Sequence, residues 1–248
     1  MLAITSDSFS GYGLDHAFAL TAAAGLDGIE VIIEHGRYDT QDAEYLKMLS
    51  KRHKLPIVAL SAPINMSPEK VGRIVNLAAE VGAPLITLLS PDIFDFNYKK
   101  WIREEAQTFY KKKKVIVALV NPPVRMVLGI LPKYAFNDIY QLKDFDNLVF
   151  DTSNAASKTE PLLEIYSVLK QSIRNVYLAN SRHERSHTLP IDGNLPLESF
   201  LTRLARDKFN GTITFKLNPK SLGVGKIDKI MGNIENCKKF VEKYFRIE

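Results

Sequence analysis

Eight times along this chain, a short run of apolar and largely β-branched residues is followed by a longer segment with helical spacing. No other feature constrains the fold as much. Parallel strands buried on both faces are nearly continuous in apolar residues, and the helices between them cover the sheet. The runs predict strands at 2–5, 28–33, 57–61, 85–89, 115–120, 148–150, 175–179 and 211–217. Helices are expected near 15–24, 40–53, 67–82, 97–110, 132–142, 161–171, 196–207 and 226–244. The punctuation agrees with this reading. Gly25 suits a helix C-terminus, Thr40 or Asp42 a helix start, and Ser67-Pro68-Glu69 an N-cap followed by proline at the first helical position.

Eight such units close a (β/α)8 barrel, the TIM barrel of the α/β class. The 248 residues match the ~250 common for that fold, so one domain over 1–248 is expected. A doubly wound open sheet normally uses fewer strands. Neither G-x-G-x-x-G after the first strand nor G-x-x-x-x-G-K-[ST] occurs, so the nucleotide-binding versions of that sheet lack their signature.

Composition narrows the setting. The single cysteine, Cys237, excludes a disulfide within the chain and points to a reducing cytoplasm. It lies in NIENCKKFVEKYF, which reads as an amphipathic helix, so a buried thiol is expected rather than a nucleophile. MLAITSDSF has no basic segment followed by an apolar run, and no apolar stretch approaches the ~20 residues that cross a bilayer. The net charge of +5 is compatible with an anionic small molecule or with nucleic acid. The run Lys111 to Lys114 is expected to be solvated, on the face away from a barrel site.

Chemistry in a barrel sits where the strands end. The strand-end residues are Ser6, Asp7 and Ser8, then Glu34 and His35, then Ser61 and Asn65, then Ser90 and Asp92. Asn121 and Arg125 follow, then Asp151, Ser153 and Asn154, then Asn180, Arg182, His183 and His187, and finally Lys216 and Asn218. Asp151 and Lys216 stand out. Asp151 ends the apolar strand LVF and Lys216 interrupts TITFKL, and a charge at such a place is costly unless paired.

The segments DGIEVIIEH, AAEVGAPLITL, VIVALVNPP, NLVFDTSNA, NVYLANSRHERSHTLPIDGNLPLESFL and GTITFKLNP carry a resemblance through their order and spacing. Together they resemble the xylose-isomerase-like barrels, which include sugar isomerases, epimerases and the endonuclease IV group. The resemblance implies a divalent metal held by a Glu ending strand five, an Asp ending strand six, a His at strand seven and a Glu on strand eight. Those positions fall here on Val120, Asp151, Tyr177 and Lys216. Asn154 and Asn180 stand where a further His and Asp are common. One ligand survives, and one carboxylate does not hold a divalent cation. No metal and no other cofactor is therefore expected at the usual place. A displaced site would have to draw on His35, Asp92, His183 or His187.

Asp151, Lys216 and His183 are the expected catalytic residues. Glu34, His35, Asn121, Asn154, Asn180, Arg182 and His187 are the expected substrate contacts. Lys216 is expected to replace the metal electrostatically and to pair with Asp151. A Schiff-base role for Lys216 is the lesser alternative. His183 and His187, beside Arg182 and Arg185, suit contact with a sugar or phosphate and acid/base work. Glu34 and His35 offer a second acid/base pair.

The leading functional expectation is a sugar or sugar-phosphate isomerase/epimerase-like protein with a small-molecule substrate. A catalytically inactive barrel that binds a small ligand or a protein partner is the alternative. An endonuclease-IV-like DNA enzyme ranks third, because that chemistry needs a metal cluster rich in His and Glu and the chain has five histidines.

Overall fold

The computed structural model describes residues 1–64, 66–106, 113–182 and 185–246. Eight parallel strands form a closed barrel in the order β1-β12-β9-β8-β5-β4-β3-β2. They are β1 (Leu2–Thr5), β2 (Gly28–Ile32), β3 (Ile57–Ser61), β4 (Leu85–Leu88), β5 (Ile116–Val120), β8 (Leu148–Asp151), β9 (Ile173–Leu178) and β12 (Thr212–Phe215). Two small antiparallel hairpins, β6 (Met126–Val127) with β7 (Leu131–Pro132) and β10 (Asn180–Arg182) with β11 (Arg185–Thr188), rise from the loops.

Closure follows from the register. β1 pairs on one side with β2 and on the other with β12, aligning Ala3 with both Gly28 and Thr214. Side chains alternate across a strand, and partners in register share a face. One face, carrying Ile4, Ile29, Leu60, Ile86, Leu119, Phe150, Val176 and Phe215, packs under the helices in the main core. The other face points into the barrel. There Ala59, Leu85, Ala118, Val120, Val149 and Tyr177 form a separate apolar cluster. Inward-facing residues fill a barrel of this size, so its interior is a packed core.

The helices start and stop for local reasons. Helix Pro68–Val81 begins with the Ser67 hydroxyl accepting from the Lys70 amide and ends at Gly82, whose φ of 75° is left-handed. Helix Ala43–His53 is capped by Asp42, one of the two expected start residues. Cys237 is fully buried in helix Ile227–Tyr244, and burial pushes its thiol up to about 12, as suits an inert core residue.

Two stretches depart from expectation. The sequence predicts one helix over 132–142, but the structure has the β6–β7 hairpin leading to a five-residue helix, Ile139–Lys143. Leu128 and Gly129 both have positive φ and turn the hairpin, and the Asp138 side chain caps the short helix. The expected helix at 97–110 is observed as Phe96–Glu104, and 107–112, with Lys111 and Lys112, lie outside the described residues. Among the described residues no helix is long and apolar enough to cross a membrane.

Candidate functional site

The first loop builds one wall of the barrel mouth. Three consecutive side chains after β1 have separate tasks. The Ser6 hydroxyl accepts from the Ile32 amide at 2.9 Å and so fastens the end of β2. The Ser8 hydroxyl accepts from the Leu217 amide at 2.9 Å and fastens the residue after Lys216. Asp7, between them, is brought beside the lysine, with Oδ2 3.8 Å from Lys216 Nζ. The other Asp7 oxygen, Oδ1, is buried and has no partner.

Lys216 lies two residues beyond the inward-facing Thr214, so its side chain also enters the barrel. Nζ sits 4.7 Å from the centre of the Tyr177 ring, a cation–π contact. Burial by itself would favour the neutral amine. The charges of Asp7, Asp151 and Glu30 outweigh burial and raise the pKa, so Lys216 is an ammonium. A Schiff-base nucleophile needs the free amine, and this environment works against that reading.

The opposite wall grows from β8. Asp151 ends the strand and caps the short helix Thr152–Ala155, its Oδ1 accepting from the Asn154 amide at 2.9 Å. Its Oδ2 lies 2.9 Å from His187 Nε2. Burial would raise the Asp151 pKa. The His187 charge and hydrogen bond, with the Asn154 amide, outweigh it and hold the carboxyl below its usual range. Burial would likewise lower His187, but Asp151 raises it. The expected Lys216–Asp151 pair is thus replaced by two others, Lys216 with Asp7 and Asp151 with His187. The three groups still face one another, since Lys216 acts through space on both partners of the second pair.

His187 is held firmly. Its amide donates to the Ser153 hydroxyl at 2.9 Å and its carbonyl accepts from the Asn218 amide at 2.7 Å. Its φ is 57°, a left-handed conformation uncommon outside glycine.

Beneath the mouth lies a buried polar knot. Glu30, fully buried on β2, accepts from Thr87 at 2.9 Å, from Asn175 at 3.2 Å and from the Tyr177 hydroxyl. Thr214 donates to the Asn175 carbonyl oxygen at 2.9 Å. Burial, the largest effect, raises the Glu30 pKa. The sequence reading passed over Glu30, although the same signal was present: a charge inside the apolar run GIEVI, as Lys216 stands inside TITFKL.

The remaining expected site residues are scattered. Asn121 spans the Asp151 backbone, accepting its amide at 2.6 Å and donating to its carbonyl at 3.1 Å. Asn154 donates to the Asn121 carbonyl at 2.9 Å. Glu34 pairs with Arg37 at 2.9 Å, and His35 is exposed. Arg182 pairs with Asp192 at 3.1 Å near solvent. His183 and Asn65 lie outside the described residues. Asn180 is buried, donating to the Pro190 carbonyl and accepting the Ser181 and Leu195 amides, each at 2.9 Å. It therefore pins the loop that carries His187. A Cβ at Gly193 would stand 2.7 Å from the Ser181 carbonyl and collide with the Asn180 side chain. Gly193→Ala is expected to cost about 1–3 kcal/mol through overpacking. It should also speed proteolytic cleavage of this loop; unchanged cleavage would show that the loop does not depend on the contact.

A scan of family descriptions matches residues 18–231 to the xylose isomerase-like TIM barrel. The chain belongs to the xylose isomerase-like TIM barrel family. Solved structures of similar fold include a D-tagatose 3-epimerase-like protein, at TM-score 0.76 and 16% identity over 98% of this chain and 97% of that one. The 3-keto-D-glucoside 4-epimerase of E. coli gives 0.74 and 15% over 98% of both chains. An AP endonuclease of family 2 from Brucella melitensis gives 0.70 and 16% over 90% and 96%. At these identities the likeness shows the fold alone. An uncharacterised protein of Mycobacterium leprae (strain TN) is 25% identical over 114 residues, 42% of this chain, and the match spans only 40% of that relative.

The metal implied by the resemblance can be tested against the donors at this xylose isomerase-like mouth. Val120 has no donor. Both oxygens of Asp151 are engaged, and the Tyr177 hydroxyl is turned to Glu30. Lys216 brings a positive charge into the same space. These residues do not fit a divalent cation. Of the displaced candidates, Asp92 accepts from the Phe94 amide at 3.1 Å and His187 is paired with Asp151. Among the described residues, no three His, Cys, Asp or Glu side chains are grouped as a metal site would need.

Proposed function

We propose that this barrel is a sugar or sugar-phosphate isomerase/epimerase-like enzyme in which the Lys216 ammonium does the electrostatic work of a metal. The observation that carries the reading is the position of Nζ, inside the mouth and facing Asp7, Asp151 and Glu30. A carbonyl oxygen brought to Nζ is polarised, and charge that develops there as the neighbouring C–H breaks is stabilised by the fixed ammonium. His187, with Asp151 behind it, carries the proton. The free Asp7 oxygen offers an acceptor for a substrate hydroxyl. His183 remains part of the proposal on sequence grounds, with Asn121, Asn154, Asn180 and Arg182 around it. The epimerases among the similar folds support a sugar-like substrate. The single buried cysteine suits the cytoplasm.

The test is exchange of the proton next to the carbonyl in D2O, across a panel of ketoses, aldoses and their phosphates, with EDTA present. Exchange is expected without added metal, and should fall to background in Lys216→Met. A base must be neutral, so exchange should increase as pH rises through the raised His187 value. Exchange that requires an added divalent cation overturns the reading.

A binding-only barrel is the second reading, favoured by the full engagement of both Asp151 oxygens. Thermal stabilisation by a panel member without exchange selects it. The nucleic-acid reading has the +5 charge and one endonuclease among the similar folds behind it, but no grouped donors for its metals among the described residues.

A further inference from the structure

Beside Asp151 the mouth opens into a cleft of about 80 Å³. Ile64, Leu89, Val120, Pro122, Pro123 and Tyr134 supply its apolar lining, with Ser90, Asn121 and Asn154 between them. Each of these three polar side chains already spends a donor on the backbone. The Ser90 hydroxyl donates to the Val120 carbonyl at 3.0 Å, the Asn121 amide to the Asp151 carbonyl, and the Asn154 amide to the Asn121 carbonyl. With only three polar side chains among the nine that line it, the wall meets a ligand mainly with carbon.

The cleft also borders the charged centre. Val120 packs in the same interior cluster as Tyr177, whose ring carries Lys216 Nζ. Asn154, on the cleft wall, caps Asp151. Asn121, on the same wall, holds the Asp151 backbone, so the cleft adjoins the carboxylate of the proposed site.

We propose that the cleft is a subsite for a small apolar group on the substrate, so that the preferred ligand is a deoxy or alkyl-bearing hydroxycarbonyl compound rather than a fully hydroxylated sugar. The proposal rests on the sugar reading above and narrows its substrate class. The size limits the group, since a cavity of ~150 Å³ holds benzene and about half of that suits a methyl to an isopropyl. A hydroxymethyl group placed here would bring a hydroxyl against a wall that is mostly carbon, at a desolvation cost that a methyl does not carry. Val120 is central to both ideas. The residue that takes away a metal donor also adds the apolar surface.

Two measurements test this, one independent of any sugar. Under xenon pressure, methyl NMR shifts are expected to concentrate at Ile64, Leu89 and Val120. In binding titrations, L-rhamnose and L-fucose are expected to bind at least about tenfold tighter than L-mannose and L-galactose, which carry a hydroxymethyl in place of the methyl. Rejection of an added hydroxyl by an apolar pocket is worth up to about 100-fold. Val120→Thr keeps the shape and adds a hydroxyl, and should reduce the preference to below about twofold and shrink the xenon shifts. A folded Val120→Thr protein that keeps the full preference overturns the subsite. So does the absence of localised xenon shifts, or equal binding of the deoxy and parent sugars. Localised xenon shifts with no binding of any of the four sugars uphold the apolar cleft and count against the sugar reading instead.

Discussion

Replacing Glu30 with alanine is expected to lower the free energy of unfolding by about 3–5 kcal/mol, the usual cost of removing one partner from a buried charged network. The side chain is fully buried and accepts from Thr87, Asn175 and Tyr177. Removing it leaves these groups short of a partner and opens a cavity in a packed interior. For a protein of this size the melting temperature should fall by roughly 6–20 °C. Chemical denaturation gives the free energy where heating is irreversible. A loss below about 1 kcal/mol would mean that water replaces the carboxylate and that the knot is not a unit. Glu30→Gln separates charge from shape. The folded Glu30 pKa is raised above 4.5, so the native state holds its proton at pH values where the unfolded chain has lost it. Stability therefore falls as pH rises from about that value through the raised one. The glutamine variant should lack this slope.

Asp151→Asn is expected to cost about 2–3 kcal/mol, below the figure for a fully buried pair because the His187 side chain is one-fifth exposed. Its clearer effect is on titration. Asp151 is held below 3.8, so its contribution is present above that value and disappears as pH falls through the lowered pKa. His187 is held above 6.5, so its contribution is complete below that value and disappears as pH rises through the raised pKa. The intact pair therefore stabilises the fold fully only between about 3.8 and 6.5. With asparagine at 151, burial and the Lys216 charge act on the imidazole without their main opponent. The His187 pKa, followed by NMR, should drop below its wild-type value. An unchanged titration would show that another group holds the histidine.

Much of the barrel is legible in the sequence because buried parallel strands are uniform in character. Ile57–Ser61 is apolar up to its last residue, and it is observed where it is expected. The hairpins are not legible in this way. Asn180–Arg182 and Arg185–Thr188 are polar throughout, so no periodicity marks them. The site shows the same division. Asp151 and Lys216 announce themselves as charges set in apolar strands. Their partners do not, because Asp7 and Lys216 are 209 residues apart and meet only when β1 pairs with β12. His187 reaches Asp151 because the short hairpin packs on the helix Thr152–Ala155 that follows β8, which no local pattern encodes. Glu30 was legible and missed. Its place in β2 carries the same signal as Lys216, and the register puts it on the inward face with Ala59 and Thr5.

The left-handed backbone at His187 also bears on how this protein can drift over generations. Glycine and asparagine adopt that conformation more readily than histidine does. The backbone itself therefore gives no reason to keep an imidazole there, and what holds it is the pair with Asp151. A lineage that stops using the proton chemistry should lose His187 and Asp151 together and keep the barrel, with asparagine at 187 favoured by its ease in that backbone conformation. Descendants of this chain that retain histidine at 187 would be those in which the reaction is still under selection.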